Sequence, residues 1–252
     1  MKINWFKYAA PMNFYSLAGK LIPLFWIAAI VFTVIGLYVG FFKTPDAIDN
    51  GMKQYYRIIF VHVAASWMAM WLYGVMVFWA LIGVIFNTRI SYMLASATSI
   101  TGTVMTIIAL ISGAIWGKTS WGTWWDWDPK LTTFLILLFV YVGYIALQSA
   151  IEDTRRSDKA SALLALVGLA IVPVIYYAVN CPDPNQCASL HQESSLKRIE
   201  PNILIAMLVT TLGFWMYSFA TILMRTKNII LQRERKTTWV ANLPEVIAGG
   251  KK

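Results

Sequence analysis

IIFVHVAASWMAMWLYGVMVFWALIGVIF, residues 58–86, is a run of sequence that contains no Asp, Glu, Lys or Arg. About 20 apolar residues are enough for a helix to cross the hydrocarbon core of a bilayer. In lipid, a helix also satisfies all of its own backbone polar groups. The run therefore predicts a membrane-spanning helix. The whole chain agrees with this, because 58% of its 252 residues are hydrophobic and only 13% are charged.

Five further uncharged runs are long enough to span a membrane. They cover about residues 21–42, 93–116, 131–151, 160–179 and 202–224. The first is expected to be a retained helix, because the sequence GFFKTPDAIDN that follows it has no small-x-small cleavage site. The chain is thus predicted to be an all-α integral membrane protein. Its architecture is a bundle of six transmembrane helices in a single membrane domain, residues 1–252.

The distribution of Lys and Arg predicts the orientation of the bundle. An even number of spans places both termini on one side, and that side carries 14 basic residues against seven on the other. By the positive-inside rule, both termini are cytoplasmic and the loops at 43–57, 117–130 and 180–201 are external. The net charge of +9 then reflects topology and a basic tail, 225–252, and not nucleic-acid binding. The tail either lies along anionic membrane lipids or is solvated.

Both histidines of the chain fall on the predicted external side. His62 lies about one turn into the second span, and His191 lies in the third external loop. A single histidine near a helix end is most often a hydrogen-bonded interfacial residue, and tryptophans near membrane ends are most often anchors. The stretch WGTWWDWDPKLT, residues 121–132, is different. Together with Trp116, it places five of the twelve tryptophans within residues 116–127, more than an anchor needs.

Asp128 followed by Pro129 predicts the start of the fourth helix. A carboxylate at that position caps free amides, and proline is favoured at the first helical position. If the segment before this cap is helical, Trp121, Trp124 and Trp125 share one face. Such a flat, apolar face would suit a large planar aromatic ligand.

A planar aromatic ligand beside two imidazoles and several cations suggests haem. His62 and His191 would bind the iron from opposite faces of the porphyrin. The candidate partners of its propionates are cations: Arg57, Lys118, Lys130 and Arg198. No C-x-x-C-H motif is present, so thioether attachment is not expected. Cys181 and Cys187 either form a local disulfide or remain reduced.

The segment GAIWGKT, residues 113–119, is similar to a phosphate-binding loop but is one residue short of the motif. The motif requires glycine at position 112, where this chain has Ser112. The match is therefore attributed to chance. The chain is predicted not to be an enzyme, and any ATP hydrolysis is assigned to a partner.

WGTWWDWDPKLT resembles the WWD signature of haem-handling membrane proteins used in cytochrome c assembly. Two further segments narrow the match: YRIIFVHVAASWMAMW around His62 and SLHQ around His191. With its six spans, the chain resembles the CcmC-type family, the C component of bacterial cytochrome c maturation, from about residue 20 to 240.

The resemblance implies a protein of the bacterial inner membrane that binds haem b non-covalently on its periplasmic face. His62 and His191 would be the axial ligands of the iron, and the stretch from Trp116 to Lys130 would be the platform. The implied haem-binding residues besides the histidines are Trp116, Trp121, Trp124, Trp125, Trp127, Asp128, Arg57 and Lys130. The chain departs from the family pattern in four places. Lys130 replaces a usual arginine, Asp126 replaces a usual apolar residue, and VHVAAS lacks the proline that commonly follows the histidine. The segment from Cys181 to Cys187 resembles an insertion.

The resemblance also implies partners. Haem would pass to a periplasmic haem chaperone (CcmE-type), and an ABC-type complex would release the loaded chaperone. That complex comprises an ATPase (CcmA-type), a membrane subunit (CcmB-type) and a small membrane protein (CcmD-type).

Two alternatives remain open: a membrane b-type cytochrome subunit in quinol electron transfer, and a haem or solute transport permease. Two histidines supply only one bis-histidine haem, whereas electron passage across a membrane commonly uses two. The spans also lack the charged residues that would mark a polar path for a solute.

Overall fold

The computed structural model describes residues 5–45, 55–178, 189–191 and 199–243. Within these ranges the regular structure is helical. The α-helices are α1 (Pro11–Phe42), α2 (Ile59–Phe86), α3 (Arg89–Ser120), α4 (Pro129–Ala150), α5 (Thr154–Gly168), α6 (Ile171–Tyr177), α7 (Pro201–Arg233) and α8 (Thr238–Ala241). Short 3₁₀ turns cover Trp5–Ala9 and Tyr55–Ile58.

Six helical segments in the described residues are long and apolar enough to cross a membrane. They are Pro11–Phe42, Tyr55–Phe86, Arg89–Ser120, Pro129–Ala150, Thr154–Tyr177 and Pro201–Arg233. The predicted all-α bundle of six spans is confirmed. Some helices extend well beyond the uncharged runs: α1 begins at Pro11 and α7 ends at Arg233. Hydropathy marks only the part of a helix suited to lipid, and helical hydrogen bonding continues into the polar flanks.

The fifth span is interrupted between α5 and α6, at residues 169–170. Pro173 lies inside α6 and has no N–H to donate to the carbonyl four residues earlier, which belongs to Leu169. The chain takes a tighter turn there, in which the N–H of Val172 donates to the carbonyl of Leu169 at 3.2 Å. The proline thus accounts for the division of this span into two helices.

The bundle is held together by close helix contacts at small residues. α1 lies along α7, where Gly36 contacts Thr210 and Gly213 contacts Thr33 so closely that a Cβ at either glycine would overlap the facing backbone. Small residues at an interface allow helix backbones to approach each other in this way. Each glycine thus lies opposite a threonine of the other helix.

The helices α2 and α3 form the central pair, against which α4, α5 and α7 pack. Buried tyrosines connect them. The hydroxyl of Tyr141 on α4 donates to the carbonyl of Ala69 on α2 at 2.8 Å, and that of Tyr73 on α2 donates to the carbonyl of Ala165 on α5 at 2.8 Å. Both rings are fully buried. Satisfying these hydroxyls avoids the cost of an unpaired polar group in the core.

The chain that follows the last uncharged run packs on the bundle as far as it is described. Arg233 donates to both carboxylate oxygens of Asp158 at 2.8 Å, and the buried carboxylate of Glu234 pairs with Arg89 at 2.8 Å. Trp239 contacts Tyr15 edge-to-face, with ring centroids 5.8 Å apart. Up to residue 243, the tail therefore packs on the bundle through these three residues. Residues 244–252 lie outside the described part of the chain.

Candidate functional site

A cleft opens at the end of the bundle where α3 ends and α4 begins. Its empty volume is about 480 Å³, which includes the part of the cleft that is open to solvent. We call it the histidine cleft. It is lined by His62, Ser66, Ala109, Leu110, Gly113, Ala114, Trp116, Trp121, Trp125, Lys130, Leu131, Phe134 and His191. The lining therefore comes from α2, α3, α4, the segment between α3 and α4, and the short segment at residues 189–191.

His62 is the fourth residue of α2, and its imidazole is held by α3. Its Nδ1 lies 3.1 Å from the carbonyl oxygen of Ala109 and 3.0 Å from the hydroxyl of Ser112. A carbonyl only accepts, so Nδ1 carries the hydrogen. The Ser112 hydroxyl accepts from it as well, because it donates its own hydrogen to the carbonyl of Ile108 at 2.6 Å. Nε2 is thereby left with its lone pair, which suits it to bind a metal.

His191 lies beside His62, although 128 residues separate them in the chain. Their ring centroids are 6.2 Å apart, and the ring planes are inclined by 32°. The Nζ of Lys130 lies 3.4 Å from the Nδ1 of His191. The only two imidazoles of the protein thus meet in one cleft.

Asp128 caps α4, as predicted. Its Oδ1 accepts from the N–H of Lys130 at 2.8 Å and from that of Leu131 at 3.3 Å. Its Oδ2 accepts from the N–H of Leu190 at 2.6 Å, a contact that the sequence did not indicate. The side chain is buried and does not line the histidine cleft. Asp128 therefore connects the start of α4 to the segment that carries His191.

The tryptophan loop, residues 121–128, is not helical. The conditional prediction that Trp121, Trp124 and Trp125 share a helical face is wrong, because α3 ends at Ser120. Gly122 follows with a φ of +81°, a left-handed conformation that favours glycine and ends a helix. Trp116, Trp121 and Trp125 line the cleft, whereas Trp124 and Trp127 do not. Those two are exposed, by 58% and 74%.

Comparisons with known proteins identify the family of the chain. The family model described as Heme exporter protein C matches residues 4–241. The heme exporter protein C of Escherichia coli K12 is 37% identical over 93% of this chain and 94% of its own length. The proteins of that name from Paracoccus denitrificans and Haemophilus influenzae are 38% and 33% identical, over 90% and 95% of this chain and 93% and 97% of their own.

This chain belongs to the heme exporter protein C family. The family resemblance inferred from the sequence is thereby confirmed. The residues matched by the family model span both histidines and the tryptophan loop.

Of the three candidate cations that the structure describes, only Lys130 lines the cleft. Arg57 donates to the carbonyl of Thr44 at 3.2 Å, and Lys118 donates to the carbonyl of Gly122 at 3.0 Å. Neither of those two lines the cleft. Arg198 lies outside the described residues, as do Cys181 and Cys187. Asp126 is exposed, and nothing in the described structure explains it.

The three residues of α3 that pack against the His62 ring were not indicated by the sequence: Ala109, Ser112 and Gly113. Gly113 begins the segment attributed to a chance phosphate-loop match, and Ser112 directly precedes it. A run of small residues in a spanning helix does indicate a close contact, but it does not identify the partner. That partner, the ring of His62, is known only from the packing of α2 on α3.

The side chains of the cleft limit the kind of metal group that it could bind. Among the described residues, no three His, Cys, Asp or Glu side chains lie together as a metal site would require. Two imidazoles alone would leave a small metal ion with too few protein ligands. They are sufficient for a metal whose other positions are filled by a macrocycle, as in haem.

Proposed function

We propose that this protein binds haem in the histidine cleft and delivers it to a periplasmic haem chaperone during cytochrome c maturation. It would act as a binding and transfer component without catalytic chemistry of its own. The observation that carries the proposal is the approach of His62 and His191 to a ring-centroid distance of 6.2 Å beside three indoles. The relatives named heme exporter protein C support the same role.

The distance between the imidazoles supports iron ligation by both. Imidazole–metal bonds of about 2 Å on opposite faces of a porphyrin would place the ring centres roughly 6 Å apart. The hydrogen bonds to His62 favour the tautomer in which Nε2 binds the metal. His62 and His191 are therefore the proposed axial ligands of non-covalent haem b.

The other residues of the cleft suit the macrocycle. The indoles of Trp116, Trp121 and Trp125 supply flat apolar surface. Lys130 is the described cation best placed for a propionate, since it lines the cleft. Trp124 and Trp127 belong to the same loop but are exposed. We propose that they contact the part of the haem that lies outside the cleft, or a recipient protein.

The two proposed ligands differ in how they are held, and this supports reversible binding. His62 belongs to a regular helix and is bonded to α3 at two points, whereas His191 belongs to a non-helical segment. We expect His191 to leave the iron first and open an axial position to the chaperone. His62 would remain as the fixed ligand.

The proposed setting is the inner membrane, with both termini cytoplasmic and the cleft facing the periplasm. The excess of Lys and Arg on the side of the termini supports this orientation. The proposed partners are the CcmE-type chaperone and an ABC-type complex of CcmA-, CcmB- and CcmD-type subunits, in which the ATPase is a separate chain.

The test is the spectrum of the purified protein in detergent after haem loading. The unchanged protein should show low-spin, bis-histidine haem, and His62→Ala and His191→Ala should each lose it. Added imidazole should restore the low-spin spectrum of either variant, because it fills the vacated axial position. Unchanged spectra in both variants would contradict the ligand assignment. Haem that exchanges electrons rapidly with quinol, and is not transferred when chaperone is added, would instead favour the b-type cytochrome.

A further inference from the structure

Asp128 holds together two parts of the chain that meet only in the folded protein. Its carboxylate accepts three main-chain N–H groups, two from the first turn of α4 and one from Leu190. Leu190 precedes His191 directly. The Leu190 bond is the shortest of the three, at 2.6 Å, and only 3% of Asp128 is exposed. A charged acceptor makes stronger hydrogen bonds than a neutral one.

We propose that Asp128 is a positioning residue that anchors the main chain next to His191 at the histidine cleft, and that it is not a haem contact. This inference rests on the proposed role of His191 as an iron ligand. The main-chain bond to Leu190 places the residue next to the ligand against the N-terminus of α4. The same carboxylate caps the turn that contains Lys130, whose Nζ lies 3.4 Å from the Nδ1 of His191. One side chain thus orients the imidazole and the cation beside it.

The chemistry requires a carboxylate at this position. Both oxygens must accept, one from α4 and one from Leu190. Asparagine has one accepting oxygen and one donating nitrogen. An Asp128→Asn side chain that keeps the cap therefore directs an N–H at the N–H of Leu190. The variant preserves the size of the side chain and the start of the helix but removes the link to the His191 segment.

The chain offers a matched control. Asp153 caps α5 by accepting from the N–H of Arg156 at 2.7 Å, and no distant residue within the described ranges donates to its carboxylate. Asp153→Asn therefore makes the same chemical change at a helix start that only needs one acceptor. Asp128→Ser is a second probe, since serine also caps helices but is too short to reach Leu190 as well.

The first measurement does not involve haem. Amide hydrogen exchange at Leu190 should accelerate by about 10- to 100-fold in Asp128→Asn and Asp128→Ser, because the N–H loses its charged acceptor. Asp153→Asn should leave that rate unchanged. An unchanged rate in both Asp128 variants would overturn the proposal.

The second measurement compares each haem-loaded variant with His191→Ala. Asp128→Asn should lose low-spin haem and recover it with imidazole, as His191→Ala does, with about 10- to 100-fold weaker haem binding. An altered spectrum in His191→Ala but not in Asp128→Asn would overturn the positioning role while leaving the proposed function intact. An unaltered spectrum in His191→Ala would reject the proposed ligand, and hydrogen exchange would still decide whether Asp128 holds the segment.

Discussion

The backbone of Gly113 on α3 packs against the imidazole of His62 on α2. A Cβ at position 113 would lie 3.0 Å from Cε1 of that ring, closer than an ordinary contact. No space is therefore left between the ring and α3 at this point. On the same side, the ring is hydrogen-bonded to the acceptors of Ala109 and Ser112. The orientation of His62 depends on the absence of a side chain at residue 113.

Gly113→Ala should displace the ring of His62 and weaken haem binding by about tenfold. The added methyl group must push the imidazole away from its acceptors on α3. Gly74→Ala on α2 is the matched control, because a Cβ there has nothing within 4 Å. Haem titration followed by absorbance measures the change. Equal affinities in the two variants would show that the ring position does not depend on residue 113.

Ser112→Ala should weaken haem binding by roughly 2- to 10-fold, which corresponds to the loss of one neutral hydrogen bond. The effect is smaller than for Gly113→Ala, because the carbonyl of Ala109 still accepts from Nδ1. Ser99→Ala is the control on the same helix, since its hydroxyl donates only to the local carbonyl of Ser96. Loss of haem from both serine variants alike would indicate a general effect on α3 instead.

Trp125→Leu should lower the haem content of the isolated protein more than Trp127→Leu does. The two indoles contact each other edge-to-face with centroids 5.7 Å apart, but only Trp125 lines the histidine cleft. Trp127 is 74% exposed. The haem-to-protein ratio after purification measures the difference. A loss with Trp127→Leu as large as that with Trp125→Leu would contradict this division of the tryptophan loop.

Arg233→Ala should destabilise the bundle by about 3 kcal/mol, because it leaves the buried carboxylate of Asp158 without its guanidinium. Arg235→Ala, at an exposed position, should change the free energy of unfolding by less than about 0.5 kcal/mol. Denaturant unfolding in detergent measures both values. The low-spin haem spectrum of folded Arg233→Ala should be unchanged, since this pair lies at the opposite end of the bundle. If Arg233→Ala has the same free energy of unfolding as Arg235→Ala, the pair of Arg233 and Asp158 contributes little to stability.

The sequence by itself determined the six spans, because the absence of charge over a membrane-long run is a local property that lipid requires. It also determined the start of α4 at Asp128 and Pro129, since a helix cap involves only neighbouring residues. The family resemblance was also visible in the sequence, because the tryptophan-rich stretch and the residues on either side of each histidine are short local motifs.

Only the tertiary structure decided which of these residues face one another. The acceptors of His62 lie on a different helix, and the N–H that binds Oδ2 of Asp128 lies 62 residues further along the chain. The tryptophan loop could not be read as a helical face, because the left-handed turn at Gly122 divides its indoles between the cleft and solvent. Hydrogen bonds and packing between distant segments leave no periodic signal in a sequence, so the positions of His62 and His191 relative to each other come from the fold alone.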